Sequence, residues 1–355
     1  GGNFHDDGGF AAVFQHFVCD RDGHQNAICW SRLKRSTDVM RHDVVTLGEA
    51  LVLLAADQPG PLASVQSFTS YTAGAETNVA VGLARLGLRV GWASRLGDDA
   101  YGHQLLKAFT QEGVDCQHVA TVAGERTGFM YKGRVDDGTD PPIEYHRTNS
   151  AASHMGPQDV DTAWLMQARH LHVTGVFPAL SNSTLTATRL AMQTMRAHGK
   201  TISFDPNVRP ALWPDAARMR DTLNDLAAQA DWVLPGLDEG RQLTGQATPE
   251  AIAQFYVQAG ASHVVVKLGA DGAYYQGPDV QGYVDAYPVS RVVDTVGAGD
   301  AFAVGVISGL LEQLPIQQAV QRAAWMGARA VQVRGDTEGL PTRDALRAEG
   351  FACVA

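Results

Sequence analysis

An α/β fold, with a mostly parallel central sheet flanked by helices, is predicted for this 355-residue chain by three observations. From residue 42 onward, apolar runs of strand length alternate with helix-length segments rich in Ala, Leu, Gln and Arg, the pattern of successive strand–helix units. At 45% hydrophobic and 19% charged residues, the composition supports a large buried core. Two segments, Leu51–Tyr71 and Arg126–Arg147, break the alternation with short strand-like runs and turns, and so predict a small second sheet placed as a cover.

Taken in order, residues 1–41 mix Gly, His, Asp and isolated aromatics without periodicity. They also lack the basic end and apolar block of a secretory signal. Met40 stands just ahead of the first strand, so 1–41 are expected to be a non-native or disordered extension. The competing reading is a genuine arm used for oligomer contacts. Asp43–Leu47 reads as a strand, and Glu76–Leu86 places Val79, Ala80, Leu83, Ala84 and Leu86 at helical spacing. Buried strands are expected at His170–Thr174, Thr201–Phe204, Trp232–Leu234 and His263–Lys267, and a strand-like run at Tyr283–Val293. The expected organisation is one domain over 42–348, with the cover built from about 49–73 and 126–148, and a tail at 349–355.

The charge balance narrows the function classes. A net charge of −10 with no long basic run removes the usual footprint of a nucleic-acid binder. No apolar stretch approaches the roughly 20 residues of a membrane span. Cys19, Cys29, Cys116 and Cys353 are scattered without a CxxC pair, which predicts neither zinc nor a disulfide framework and fits a reducing cytoplasm. The histidines show no metal-ligand spacing.

The chemistry concentrates at Asp294-Thr295-Val296-Gly297-Ala298-Gly299-Asp300-Ala301-Phe302, which opens an apolar helix. Small residues at a helix start leave consecutive amides uncovered, and the helix dipole adds positive potential there, so Gly297, Ala298 and Gly299 form a candidate anion cradle. Asp300 beside it is a candidate base. Donors for a transferring phosphoryl group next to a carboxylate are what phosphoryl transfer to an alcohol requires. A tight turn and an ordinary helix-start Asp would leave the same letters. Gly199-Lys200-Thr201 fails as a P-loop because Thr194 stands where its first glycine belongs, and no GxGxxG follows the first strand.

This segment resembles the C-terminal motif of the ribokinase-like, phosphofructokinase-B-type carbohydrate kinases. Gly48-Glu49, Ala73–Ala80 (AGAETNVA), Leu96–Gly102 (LGDDAYG) and Phe204–Arg209 (FDPNVR) follow in family order. Within the family the chain is most similar to 2-keto-3-deoxygluconate kinases, through GEALV at Gly48, EYHR at Glu144, DPNVRPALW at Asp205 and RGDTEG at Arg334. The resemblance implies a ribokinase-like fold with a β-sheet lid, ATP and Mg2+ as cofactors, and a sugar acid as substrate; exposed lid strands that pair to hide their edges would give a homo-oligomer formed through the lid.

By that resemblance Asp300 is the base, Gly74 and Asn78 contact sugar hydroxyls, Tyr145 contacts the substrate, and Arg147 and Arg209 hold its carboxylate. Arginine forks suit a carboxylate, each charge-assisted bond contributing about 1.5 to 3 kcal/mol. The same residues also admit plainer roles: Asn78 as a cap, Arg147 as an edge-strand charge, Arg209 as a rim charge, Tyr145 as lid packing. Lys267, Gly269 and Gly272 are expected at the nucleotide together with Gly297 and Gly299, although Lys267 could equally only solvate the rim. Glu239 is expected to order hydrated magnesium, or to cap its helix; it is the acid left where many relatives carry Asn-x-x-Glu and this chain has Gly236-Leu237-Asp238-Glu239. The glycine pair on the family's sugar side reads Ala73-Gly74 here, and Ala324 stands where Asn is frequent. Asp294 and Val296 stand where relatives bind a monovalent cation such as K+. The alternatives in function are a fructokinase-like or other sugar kinase of the same family, or a catalytically silent sugar-binding protein.

Overall fold

The computed structural model describes residues 41–135 and 141–353. The expectation for the leader falls, up to residue 40, outside these, as do residues 136–140 of the second cover segment. In chain order the strands are β1 (His42–Leu47), β2 (Leu51–Ala56), β3 (Phe68–Ala73), β4 (Val90–Gly97), β5 (Asp115–Val122), β6 (Phe129–Lys132), β7 (Ile143–His146), β8 (Ala168–Thr174), β9 (Thr201–Asp205), β10 (Trp232–Val233), β11 (His263–Lys267), β12 (Ala273–Gln276) and β13 (Gln281–Val284). Nine of them form a central sheet ordered β13-β12-β11-β10-β9-β8-β1-β4-β5. Neighbours from β11 through β5 pair parallel, while β12 and β13 extend the edge antiparallel. Parallel pairing needs crossover helices, and these bury both faces of the sheet. Val44, Val90 and Val265 face one core, Val45, Leu171 and Val264 the other.

The second sheet, ordered β3-β2-β6-β7, is the lid. The sequence suggests antiparallel strands throughout, yet β2 and β6 run parallel, Val52 opposite Phe129. The reason is that each arrives in its own hairpin, β2 with β3 and β6 with β7, and the hairpins join through their first strands. Tyr283–Val293 is a strand only to Val284. Its later apolar residues, Tyr287, Pro288, Val289 and Val292, line a cavity instead of pairing.

Helix Ala298–Leu311 is buried on nearly all sides, as its uniform apolarity requires. It lies close against helix Ile316–Ala330, because a Cβ at Gly305 would strike the Ala323 backbone and one at Gly309 would come within 2.5 Å of Ala319 Cβ. That packing fixes where the helix begins, and its first turn faces the carboxyl ends of the strands. There β9 delivers Asp205 and β11 delivers Lys267, in the crevice where open α/β sheets bind ligands. None of the described helices is long and apolar enough to cross a membrane, and Cys116 and Cys353 are free thiols.

Candidate active site

Two cavities meet at the start of helix Ala298–Leu311. One, of about 600 Å3, lies beneath the lid and is lined by Gly74, Asn78, Tyr145, Arg147, Arg209 and Asp300 among others. The other, of about 680 Å3, is apolar, walled by Tyr287, Pro288, Phe302, Ala324 and Val331. Lys267, Gly269, Thr295 and Gly299 line both, so the seam runs along the glycine-rich turn.

The turn demands its glycines. Gly297 has φ +83°, and a Cβ there would stand 2.7 Å from the Asp336 carbonyl oxygen, so the left-handed conformation and the close approach both exclude side chains. Of the three cradle amides, that of Ala298 makes a long 3.4 Å bond to the Thr295 carbonyl, whereas Gly299 sits in the first helical turn, where amides have no intrahelical acceptor. A Cβ on Gly299 would lie 3.7 Å from Lys267 Nζ, so that ammonium borders the cradle.

Asp300 Oδ2 accepts from Asn78 Nδ2 at 2.7 Å, and Oδ1 takes a long 3.5 Å bond from Asn207 Nδ2. Its pKa is pushed up to about 8, chiefly by burial. The Asn78 bond opposes this, Asp205 and Asp336 add to it, and Lys267 pulls back. Such a carboxyl is poised to exchange a proton near neutral pH. Asn78 is not a cap: its amide bridges Asp300 and, at 3.3 Å, Asp336 Oδ2, while its buried Oδ1 has no partner and can accept from a hydroxyl. Asn207 holds φ +39° with a second unpartnered buried Oδ1, a strained residue of the kind found where a ligand is held.

The two arginines differ. Arg147 is not an edge charge, for its side chain is 10% exposed; its Nε donates to Glu49 Oε2 at 2.7 Å and its Nη2 stands 2.5 Å from the same oxygen. The Ser150 hydroxyl donates to the other Glu49 oxygen. Arg147 also lies over the half-exposed Tyr145 ring, 5.6 Å from its centroid. Arg209 is exposed at the rim, donates to the Val208 carbonyl at 3.0 Å, and forms no ion pair among the described residues. Gly74, at φ +142°, brings its backbone within reach of the cavity, a Cβ there falling 2.5 Å from the Glu49 carbonyl oxygen.

Where the two cavities meet, Lys267 Nζ pairs with Asp205 Oδ2 at 2.6 Å. Burial would lower its pKa, but Asp205, Glu239 and Asp300 outweigh that and raise it, so it stays an ammonium. Gly272, at φ +91°, turns the chain where a side chain would collide with the Val284 carbonyl, and Gly269 opens onto both cavities. Glu239 does cap: its two oxygens accept from the amides of Gly236 and Val208, each at 2.7 Å, and tie the β9 loop to helix Leu237–Thr244. It also lines the cavity, and each oxygen keeps a second lone pair for a water, so it fits a hydrated magnesium ion held at one remove.

Asp294 does not fit a monovalent cation. Its Oδ1 accepts the Val296 amide at 3.1 Å, and its Oδ2 lies 2.5 Å from Lys132 Nζ. Sequence reasoning assigned no role to Lys132, Glu49, Asp205, Asn207 or Asp336. The last three lie in the quoted FDPNVR and RGDTEG segments. Lys132 carried one signal, since it falls two residues after Met130 and therefore on the same inward face of β6.

Residues 41–343 match the family described as pfkB family carbohydrate kinase. A 2-dehydro-3-deoxygluconokinase of Bacillus subtilis (strain 168) is 50% identical over 308 residues, 86% of this chain and 95% of its own. The crystal structure of a PfkB protein from Polaromonas sp. JS666 shares 60% identity at a TM-score of 0.81, covering 86% of this chain and 99% of that one. A putative ribokinase II from E. coli, solved in complex with ATP and Mg2+, matches at a TM-score of 0.81 with 30% identity, over 86% of this chain and 98% of its own.

Proposed function

This chain belongs to the pfkB family of carbohydrate kinases and has the ribokinase-like fold; from that premise we propose that it transfers the terminal phosphoryl group of ATP to the C6 hydroxyl of 2-keto-3-deoxygluconate, giving 2-keto-3-deoxy-6-phosphogluconate. The observation that carries this reading is the position of Asp300, which lines a polar cavity under a lid and follows directly on Gly299, a residue bordering both that cavity and an apolar one that suits a nucleotide base. The sugar acid lies under the lid with its carboxylate toward Arg209 and its C6 hydroxyl toward Asp300. Asp300 takes the hydroxyl proton as the oxygen attacks phosphorus, while the Gly297 and Gly299 amides and the Lys267 ammonium answer the negative charge on the transferred group. The lid keeps water from competing with the hydroxyl. Glu239 would hold a hydrated magnesium ion, which when bound would supply charge neutralisation on the nucleotide phosphates. The reducing cytoplasm fits the free thiols, and pairing of two lids through their outer strands β3 and β7 would give a dimer with covered edges.

The Glu49–Arg147 pair gives a neutral-sugar kinase one point of support, because it already satisfies one guanidinium. A panel of ketodeoxy sugar acids and neutral sugars, scored by ADP release, separates the two. The proposal requires the six-carbon ketodeoxy acids to give the highest kcat/KM, and a preference for fructose refutes it.

A further inference from the structure

Lys132 ends β6 on its inward face and is 3% exposed. Its Nζ lies 2.5 Å from Asp294 Oδ2 and 3.6 Å from Asp336 Oδ1, and both carboxylates are themselves buried. A buried ammonium is tolerated only where opposite charge and good geometry offset its desolvation. Here the two carboxylates supply the opposite charge at close range, although Nζ forms no well-angled hydrogen bond among the described residues, and each carboxylate is tied to the cradle. Asp294 accepts the Val296 amide, fixing the segment that enters the turn. Asp336 presses its backbone against Gly297 and receives the Asn78 amide that also holds Asp300. Burial pushes the Asp336 pKa up, and the Lys132 charge is the largest influence opposing it. Without a positive charge between them, two acidic side chains would stand directly behind amides meant to attract phosphate.

A bare monovalent cation would meet the same electrostatic need, and Asp294 with Val296 is where the resemblance expects one. In this chain the oxygen that such an ion requires is already in contact with an ammonium. We propose that Lys132 is a tethered replacement for the monovalent cation, carried into the site by the lid strand, so that phosphoryl transfer here needs no potassium. The inference rests on the kinase reading above and adds a consequence: the lid and the anion cradle are locked together by charge, with Lys132 acting as a positioning residue rather than touching the reacting atoms.

The test compares chloride salts of potassium, ammonium, sodium and tetramethylammonium at equal ionic strength, with both ADP release and thermal unfolding as readouts. The wild-type chain should show the same rate and the same midpoint in all four. Lys132→Ala leaves room for an ion beside Asp294 and should lose on the order of tenfold to a hundredfold in rate in tetramethylammonium. Potassium or ammonium should restore most of that loss and raise the variant's unfolding midpoint, whereas tetramethylammonium should do neither. A purely structural ion pair would give a loss with no dependence on cation size. Saturable activation or stabilisation of the wild type by potassium overturns the proposal, as does a folded Lys132→Ala chain indifferent to all four ions. If Lys132→Ala does not fold, the wild-type comparison decides alone. If no sugar acid yields ADP in any salt, the kinase reading fails instead, and the unfolding midpoints still decide the cation question.

Discussion

The lid-covered cavity and the apolar cavity sit side by side at the carboxyl ends of the strands, yet they are held by different means. The apolar one is built from contiguous stretches: the turn after β11, the 286–292 loop and the facing helices. The lid-covered one is assembled from polar and charged groups brought together across the chain: Arg147 on Glu49, and Asn78 between Asp300 and Asp336. Under the proposed reaction the shared wall serves chemistry that any sugar kinase needs, which assigns acceptor choice to the lid-side charges. Breaking the shared wall should therefore abolish turnover for every acceptor, and breaking the lid side should change which acceptor is used.

The largest effect is expected at Asp300. Asp300→Asn removes the base while keeping an acceptor for Asn78, and kcat should fall by about 10² to 10⁴ with the KM for the sugar acid little changed. A drop below about tenfold in steady-state ADP release would show that proton removal does not depend on this carboxyl. The same variant should unfold at a higher temperature near pH 8, since an enforced buried carboxylate is replaced by a neutral amide.

The shared wall was legible in the sequence because its residue types are dictated locally. A left-handed turn needs Gly297, an uncovered helix start needs small residues, and a strand end delivers Lys267. The alternation of strands and helices likewise follows from local periodicity. The lid-side charges were not legible in this way. Glu49 and Arg147 are 98 residues apart, and nothing near either announces the other. The parallel β2–β6 pairing has the same cause, being set by two hairpins meeting in space. Tyr283–Val293 misled for a different reason: its apolar residues wall a cavity, and apolar composition cannot tell a cavity wall from a strand.

The two arginines sharpen the contrast next. Arg209→Ala removes a guanidinium with no ion pair, so its effect should appear as a rise in KM for the sugar acid of about tenfold to a hundredfold, matching about 1.5 to 3 kcal/mol for a charge-assisted bond, with the folded state intact. Arg147→Ala instead strands Glu49, which is 2% exposed, and should lower stability by about 3 to 5 kcal/mol in denaturant unfolding. The paired variant Glu49→Gln with Arg147→Met should recover much of that stability. Equal KM effects from both single variants, with no stability difference, would erase the distinction between the two.

The smallest effect is in the pH profile, and it probes the carboxyl next to the seam. The Asp300 carboxyl titrates near 8 in the folded chain against an ordinary 3.8, so its protonated form dominates at neutral pH. A base must be ionised, and kcat/KM reports the free enzyme. The rate should therefore climb about tenfold from pH 7 to pH 9 as the proton leaves. The linkage to stability has the opposite sense. Because the folded-state value is raised, this group's contribution to stability is complete below the unfolded value and is lost as pH rises through about 8. The stability advantage of Asp300→Asn over the wild type should accordingly grow from pH 5 to pH 9. A flat kcat/KM profile across pH 7 to 9, together with a constant stability gap, would mean that this carboxylate is ionised throughout, and that Lys267 and the cradle amides outweigh its burial.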